Sequence, residues 1–254
     1  MTADQYLESI LGRELVPSGL GSPLMGVQRT LHPMIHEWAS GRLLNFHPSG
    51  SFMKGTANLS GTDIDLFISL SENTVESLSE IHQKLLKRLV ERGYAPKRQN
   101  VSINIKVNGY SVDLVPAKRQ NPYSDDHSLY RRKADSWTKT NVLTHIRHVG
   151  GSGRLREIRI LKLWRNQNAL EFPSFYLELT VMAALATQPP WMSLSQNVQR
   201  VLEYLRDSFL KARVVDPANT NNVISDDLTD AEKQRVSSAA KVARDAPYWE
   251  NIVR

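Results

Sequence analysis

The sequence contains no cysteine. That excludes a disulfide scaffold, a thiol nucleophile and a Cys-ligated zinc site, and it agrees with a reducing, cytoplasmic setting. No apolar run approaches the ~18 residues that a membrane span requires. The N-terminal MTADQYLESILGRE is acidic and amphipathic, without the basic start and apolar centre of a signal peptide. A cytoplasmic chain with no membrane partner is therefore expected. Internal repeats and low-complexity tracts are also missing. Histidines are few, and His127, His145 and His148 lack metal-ligand spacing, so they read as surface or hydrogen-bonding groups. What remains is ordinary globular material: 254 residues, 41% hydrophobic and 23% charged, enough for one large domain or two small ones.

The charge is unevenly placed. The chain carries +6 overall, yet between Lys118 and Arg165 twelve Lys/Arg face four Asp/Glu. A basic middle on a balanced chain suits a polyanion such as a nucleotide, RNA or DNA; a solvated basic face is the other reading. Arg131, Arg132 and Lys133, between Tyr130 and Trp137, form a basic cluster with aromatics. Such a cluster could grip nucleic acid or an acceptor nucleotide, or be a solvated loop.

Periodicity divides the chain into a mixed first half and a helical second half. Residues 4–14, 24–44 and 75–92 show helical spacing, the last with a Leu78, Ile81, Leu85, Leu89 stripe and Gly93 as its stop. The intervening VPSGLGSPL is a Pro/Gly loop. Residues 63–70 (DIDLFISL) alternate strictly, as do 101–107, and Asn108-Gly109 marks a hairpin into a return strand over 110–115. Helices are expected over 155–166, 175–187, 195–211 and 231–246, with 216–226 a loop. The fold class is therefore α+β, in two closely packed lobes with a cleft between them. The boundary is expected near residue 140: 1–140 a mixed-sheet lobe with N-terminal helices, and 141–254 a helical lobe.

Asp63 and Asp65 lie two apart on a strand, so both carboxylates leave one face, their Cα atoms ~7 Å apart. Two such acids either line a solvated edge or share a divalent cation. Oxygen ligands without His or Cys favour Mg²⁺ or Mn²⁺. About a dozen residues earlier, Ser49-Gly50-Ser51 opens a short helix, the arrangement of a phosphate cradle. Asp113, flanked by Val112 and Leu114, would leave the opposite face of its strand and could join the pair. Three carboxylates, a phosphate cradle and a basic middle together describe two-metal phosphoryl chemistry.

The stretch PSGSFMKGTANLSGTDIDLFISL, followed by VDLVPA, resembles the polymerase-β-like nucleotidyltransferase superfamily. Within it, the chain is most similar to the bacterial cyclic-oligonucleotide synthases (CD-NTases) of phage defence and to 2′-5′-oligoadenylate synthetases, with archaeal CCA-adding enzymes as close relatives. ILKLW (160–164), PSFYLE (173–178) and DPANTNN (216–222) fit the helical half of that branch. The resemblance implies a bilobal nucleotidyltransferase fold, a mixed-sheet palm lobe packed on a C-terminal helical lobe. It implies Asp63, Asp65 and Asp113 as ligands of two Mg²⁺ (or Mn²⁺) ions, and Gly50 and Ser51 on the donor triphosphate. Lys162 and Ser174 would reach the same phosphates, and Tyr176 would stack on the donor base. Lys162 also interrupts an apolar helical stripe, so it either snorkels or faces a cleft. Lys54 would contact an acceptor phosphate.

The implied activity is template-independent joining of NTPs or dNTPs into a cyclic or short linear oligonucleotide signal, with pyrophosphate release, in antiphage defence. RNA or DNA would serve as acceptor or activator, and a downstream effector would read the product. The helical half is short for the family, which argues against full tRNA recognition. Two alternatives stay open: a terminal nucleotidyltransferase acting on RNA or tRNA 3′ ends, and an inactive nucleic-acid-binding module.

Overall fold

The computed structural model describes residues 1–17, 22–61, 63–189 and 191–254. The expected loop over VPSGLGSPL falls partly on residues 18–21, outside the described residues. By its contacts the chain forms two compact units. One comprises Val16–Gly55 and Thr62–Arg147; the other comprises Met1–Leu15, Thr56–Gly61 and His148–Arg254. Among the described residues no helix is long and apolar enough to cross a membrane.

The first unit is built on a mixed sheet. Its strands are β1 (Leu43–Pro48), β2 (Ile64–Leu70), β3 (Lys97–Arg98), β4 (Ile103–Val107), β5 (Tyr110–Arg119), β6 (His127–Arg131) and β7 (Ser136–Thr140). The main path runs β1-β2-β5-β4-β3, with β6 pairing the far end of β5 and β7 pairing β6. β2 and β5 are parallel, and the other pairs are antiparallel. Alternation decides the two faces. Ile64, Leu66, Ile68 and Leu70 of β2, Ile103, Ile105 and Val107 of β4, and Val112 and Leu114 of β5 enter one core. Helices α2 (Pro23–Ala39) and α4 (Leu78–Glu91) supply the other side of it through Val27, Leu31, Ile35, Ile81, Leu85 and Leu89. Each fully buried Leu or Ile there contributes about 1.5–3 kcal/mol. A capping box on Ser77 and Glu80 starts α4. Asn108 (φ 52°) and Gly109 (φ 85°) make the tight turn between β4 and β5 that the sequence announced.

Several boundaries differ from the sequence-based expectation. The helix expected over 24–44 ends at Ala39, because Ser40 and Gly41 adopt left-handed conformations and the chain turns into β1. β5 continues to Arg119, and the β6–β7 hairpin and α5 (Val142–Gly150) were not anticipated.

The second unit gathers α1 (Ala3–Arg13), α6 (Leu155–Gln167), α7 (Ser174–Ala184), α8 (Leu194–Asp207) and α9 (Asp230–Asp245) around one apolar core. Capping boxes at Thr2/Gln5, Ser193/Gln196 and Thr229/Glu232 begin α1, α8 and α9. The stretch expected as loop at 216–226 contains a small hairpin, β8 (Val215–Asp216) with β9 (Asn219–Val223). Asp216 shapes its turn by accepting the Ala218 N–H at 2.8 Å. The N-terminal helix α1 belongs to this unit through Leu7, Ile10 and Leu11, not to the sheet as the boundary near 140 would have it. Segment 56–61 belongs here as well.

Candidate active site on the polar face of the sheet

With its odd-spaced neighbours committed to the core, β2 turns Asp65 to the opposite face, and β5 does the same with Asp113. Asp65 and Asp113 are direct register partners on adjacent parallel strands, so their Cα atoms lie roughly 4.8 Å apart. Asp63 is exposed, just before the first residue of β2. The pleat thus brings the three expected carboxylates to one end of two neighbouring strands.

Gly50 is fitted against this pair. It opens the short helix α3 (Gly50–Lys54) at φ +59°, and a Cβ built on it would sit 1.7 Å from Asp65 Oδ2. Ser49 N–H donates to the Asp65 carbonyl at 2.9 Å, which ties the start of α3 to β2. No side chain caps α3, so its first amides are presented with Ser51 beside the carboxylates. Only glycine satisfies both the approach and the left-handed backbone. Gly50→Ala should therefore displace Asp65 or α3 by about 1 Å and lower kcat about 10²-fold. Steady-state kinetics alongside a melting curve would show this as an activity loss without unfolding.

The electrostatics suit a cation. Burial raises the Asp113 carboxyl above its ordinary value; the bond from Asn104 pulls it down, and the Asp63 charge pushes it up. None of these influences carries positive charge. The donor set is hard oxygen from carboxylates, which fits Mg²⁺ or Mn²⁺ better than zinc. The carboxylates are not a closed cage, however. Among the described residues no three His, Cys, Asp or Glu side chains are gathered as a ready-made metal site.

Three expected site residues lie in the helical unit, and two receive different assignments there. Tyr176 is 0% exposed, enclosed by Phe172 and Phe209 with ring centroids 5.0 and 5.3 Å away. A ring packed this way offers no face to a base, and the stacking role is withdrawn. Burial also pushes its hydroxyl up to about 12. Lys162 is buried in an ion pair with Glu178, its Nζ 2.6 Å from Oε1. Nζ also donates to Thr56 Oγ1 at 2.8 Å and the Thr56 carbonyl at 3.3 Å. These partners hold Lys162 within the core of the helical unit, where it serves a buried ion pair. Ser174 is exposed at the start of α7, and its hydroxyl accepts from Arg165 Nη1 at 2.9 Å. Lys54 is buried within α3.

The basic cluster at 131–133 forms the tip of the β6–β7 hairpin. Trp137, opposite Tyr130, is 59% exposed. His127 bears out its hydrogen-bonding reading, between Ser69 Oγ at 2.7 Å and the Asp125 carbonyl at 2.8 Å. Two neighbours of Asp113 had escaped the sequence reading. Asn104, its register partner on β4, donates to Oδ1 at 2.7 Å, and Gln99 donates to the same oxygen at 3.2 Å. Strand alternation could have found Asn104, which is the polar residue between Ile103 and Ile105. Glu178 and Thr56 were missed because their partner is distant in sequence.

No family model matches the chain. In sequence it is similar to the cyclic AMP-AMP-AMP synthase of Escherichia coli MS 115-1, 22% identical over 66% of this chain and 58% of that protein. The match thus spans little more than half of that relative's length. It is 27% identical to the CBASS oligonucleotide cyclase CdnC of E. coli KTE188, over 76% of this chain and 73% of the relative. In structure it is similar to CdnC of E. coli MS115-1, solved in complex with a HORMA protein, with a TM-score of 0.75 and 19% identity over 98% of this chain and 96% of the other.

Proposed function

We propose that this chain, a polymerase-β-like nucleotidyltransferase of the cyclic-oligonucleotide synthase branch, joins nucleoside triphosphates into a cyclic or short linear oligonucleotide signal with release of pyrophosphate. The observation that carries the reading is the register pairing of Asp65 with Asp113, with Gly50 pressed against Asp65, in a chain similar in sequence to oligonucleotide cyclases. Asp63, Asp65 and Asp113 would hold Mg²⁺ (or Mn²⁺), which when bound lowers the pKa of an attacking hydroxyl and stabilises the displaced pyrophosphate. The first amides of α3, with Ser51, receive the donor phosphates. Asp113 would also help to take the proton that the acceptor hydroxyl loses, the role its place in the nucleotidyltransferase pattern implies. The product serves as a signal in antiphage defence and is read by an effector. The HORMA protein in the CdnC complex supports a regulatory protein partner here as well.

The test is product analysis. The protein is incubated with Mg²⁺ or Mn²⁺ and each NTP and dNTP, singly and mixed, and products are resolved by mass spectrometry after phosphatase treatment. The reading expects a phosphatase-resistant ring or a ladder of short oligomers. Nucleotide added only onto supplied RNA would move the chain to the terminal transferases.

A further inference from the structure

Asp113 is held in a way that neither a solvated strand acid nor a structural ion pair requires. Two carboxamides from different segments converge on one of its oxygens. Asn104 Nδ2 lies 2.7 Å from Oδ1 and Gln99 Nε2 lies 3.2 Å from it. Neither amide can be reversed, because only an NH₂ group can face a carboxylate. The Asn104 NH₂ also donates to Ser111 Oγ at 2.8 Å, which uses both of its hydrogens. Gln99 Oε1 accepts from Ser102 Oγ at 2.6 Å.

The segment bearing Gln99 is itself pinned. Its N–H donates to the Ser102 carbonyl at 3.0 Å, and its carbonyl accepts from Arg132 Nε at 3.0 Å. The Asn100 carbonyl accepts from Arg132 N–H at 2.8 Å, and Asn100 Oδ1 accepts from Lys133 N–H at 3.0 Å. Both donors to Asp113 are neutral. A lysine or arginine in their place would compete with a cation for the carboxylate charge, whereas an amide orients the carboxylate and leaves that charge in place.

We propose that Asn104 and Gln99 are positioning residues that hold the Asp113 carboxylate by Oδ1 so that its second oxygen is offered to the divalent cation. This rests on the reading of Asp113 as a cation ligand given above. Asn104 sets the rotation directly from the neighbouring strand. Gln99 braces it from the loop that the β6–β7 tip secures.

The experiment measures Mn²⁺ binding to the full chain by electron paramagnetic resonance in the presence of a non-hydrolysable NTP analogue, with melting curves on each variant. Asn104→Leu, which keeps the branching at Cγ and loses the donors, should weaken Mn²⁺ binding about 10- to 100-fold, the range for removing a partner of a metal ligand. Gln99→Ala should act in the same direction to a smaller extent. Because Gln99 is exposed, that variant decides the matter even if Asn104→Leu fails to fold. The KM for NTP at saturating metal should stay within about twofold of the parent in both. Parent-like Mn²⁺ affinity in both variants, with Asp113→Ala weakened, would overturn the positioning role alone. Parent-like affinity in Asp113→Ala as well would overturn the reading of Asp113 as a ligand, and this inference with it.

Discussion

Asp113→Asn should give a protein that makes no oligonucleotide, a loss on the order of 10³-fold or more and beyond that of a single preorganised donor, yet melts higher than the parent in metal-free buffer. The physical reason is one and the same for both effects. Burial is the main cause of the raised Asp113 proton affinity, and Asp63 adds to it. The folded protein therefore binds the Asp113 proton more tightly than the unfolded chain, whose carboxyl stays near 3.8. Stability contributed at this position falls as pH rises from about 3.8 through the raised folded value, and is flat above it. The neutral amide escapes that penalty while still accepting from Asn104 and Gln99. Melting curves in EDTA across acid to neutral pH should show the variant's advantage absent at the acid end, growing through this window and constant above it. A variant that melts at or below the parent temperature throughout would show that the site is not held at a cost to stability, as functional sites commonly are.

Lys162→Met should lower stability by about 3–5 kcal/mol, the usual consequence of leaving one member of a buried ion pair alone. The pair is well enclosed: the Lys162 side chain is 6% exposed and that of Glu178 is 0% exposed. Thr56 completes the cluster, its hydroxyl donating to Glu178 Oε1 at 2.7 Å. Replacing both charged partners, as in Lys162→Met with Glu178→Leu, should recover much of the loss, because no uncompensated charge is then left in the core. Denaturant titration reads both effects. Assayed below its transition, Lys162→Met should keep the parent KM for NTP. A parent-like melting curve with a strongly raised KM would instead return Lys162 to the donor phosphates.

The face of the sheet that carries Asp65 and Asp113 was legible because its determinants are local. Strict alternation over 63–70 fixed which side Asp65 leaves, and Val112 and Leu114 did the same for Asp113. Asn108-Gly109 fixed the hairpin that sets β4 beside β5. The limits of α2 were not legible, since Leu43 and Leu44 prolong the apolar pattern and only the Ser40-Gly41 backbone ends the helix. The home of α1 was not legible either: an amphipathic stripe states that a face is buried, not against which core. The same holds in the helical unit. The sequence showed that Lys162 breaks an apolar stripe, but its partner Glu178 lies a helix away, and that partner turned a supposed phosphate ligand into half of a buried pair. Tyr176 failed for the opposite reason. Its aromatic ring sits among apolar residues in sequence, and the fold keeps it there.

The most direct measurement is pyrophosphate release from mixed NTPs with Mg²⁺, comparing the parent with Asp65→Ala, whose fold is checked by circular dichroism. Asp65 is the residue on which the strand register and the Gly50 approach converge. Release by the parent, and none by a folded Asp65→Ala, is the expected result. Release by the variant at the parent rate would contradict the assignment of nucleotidyl transfer to this face of the sheet.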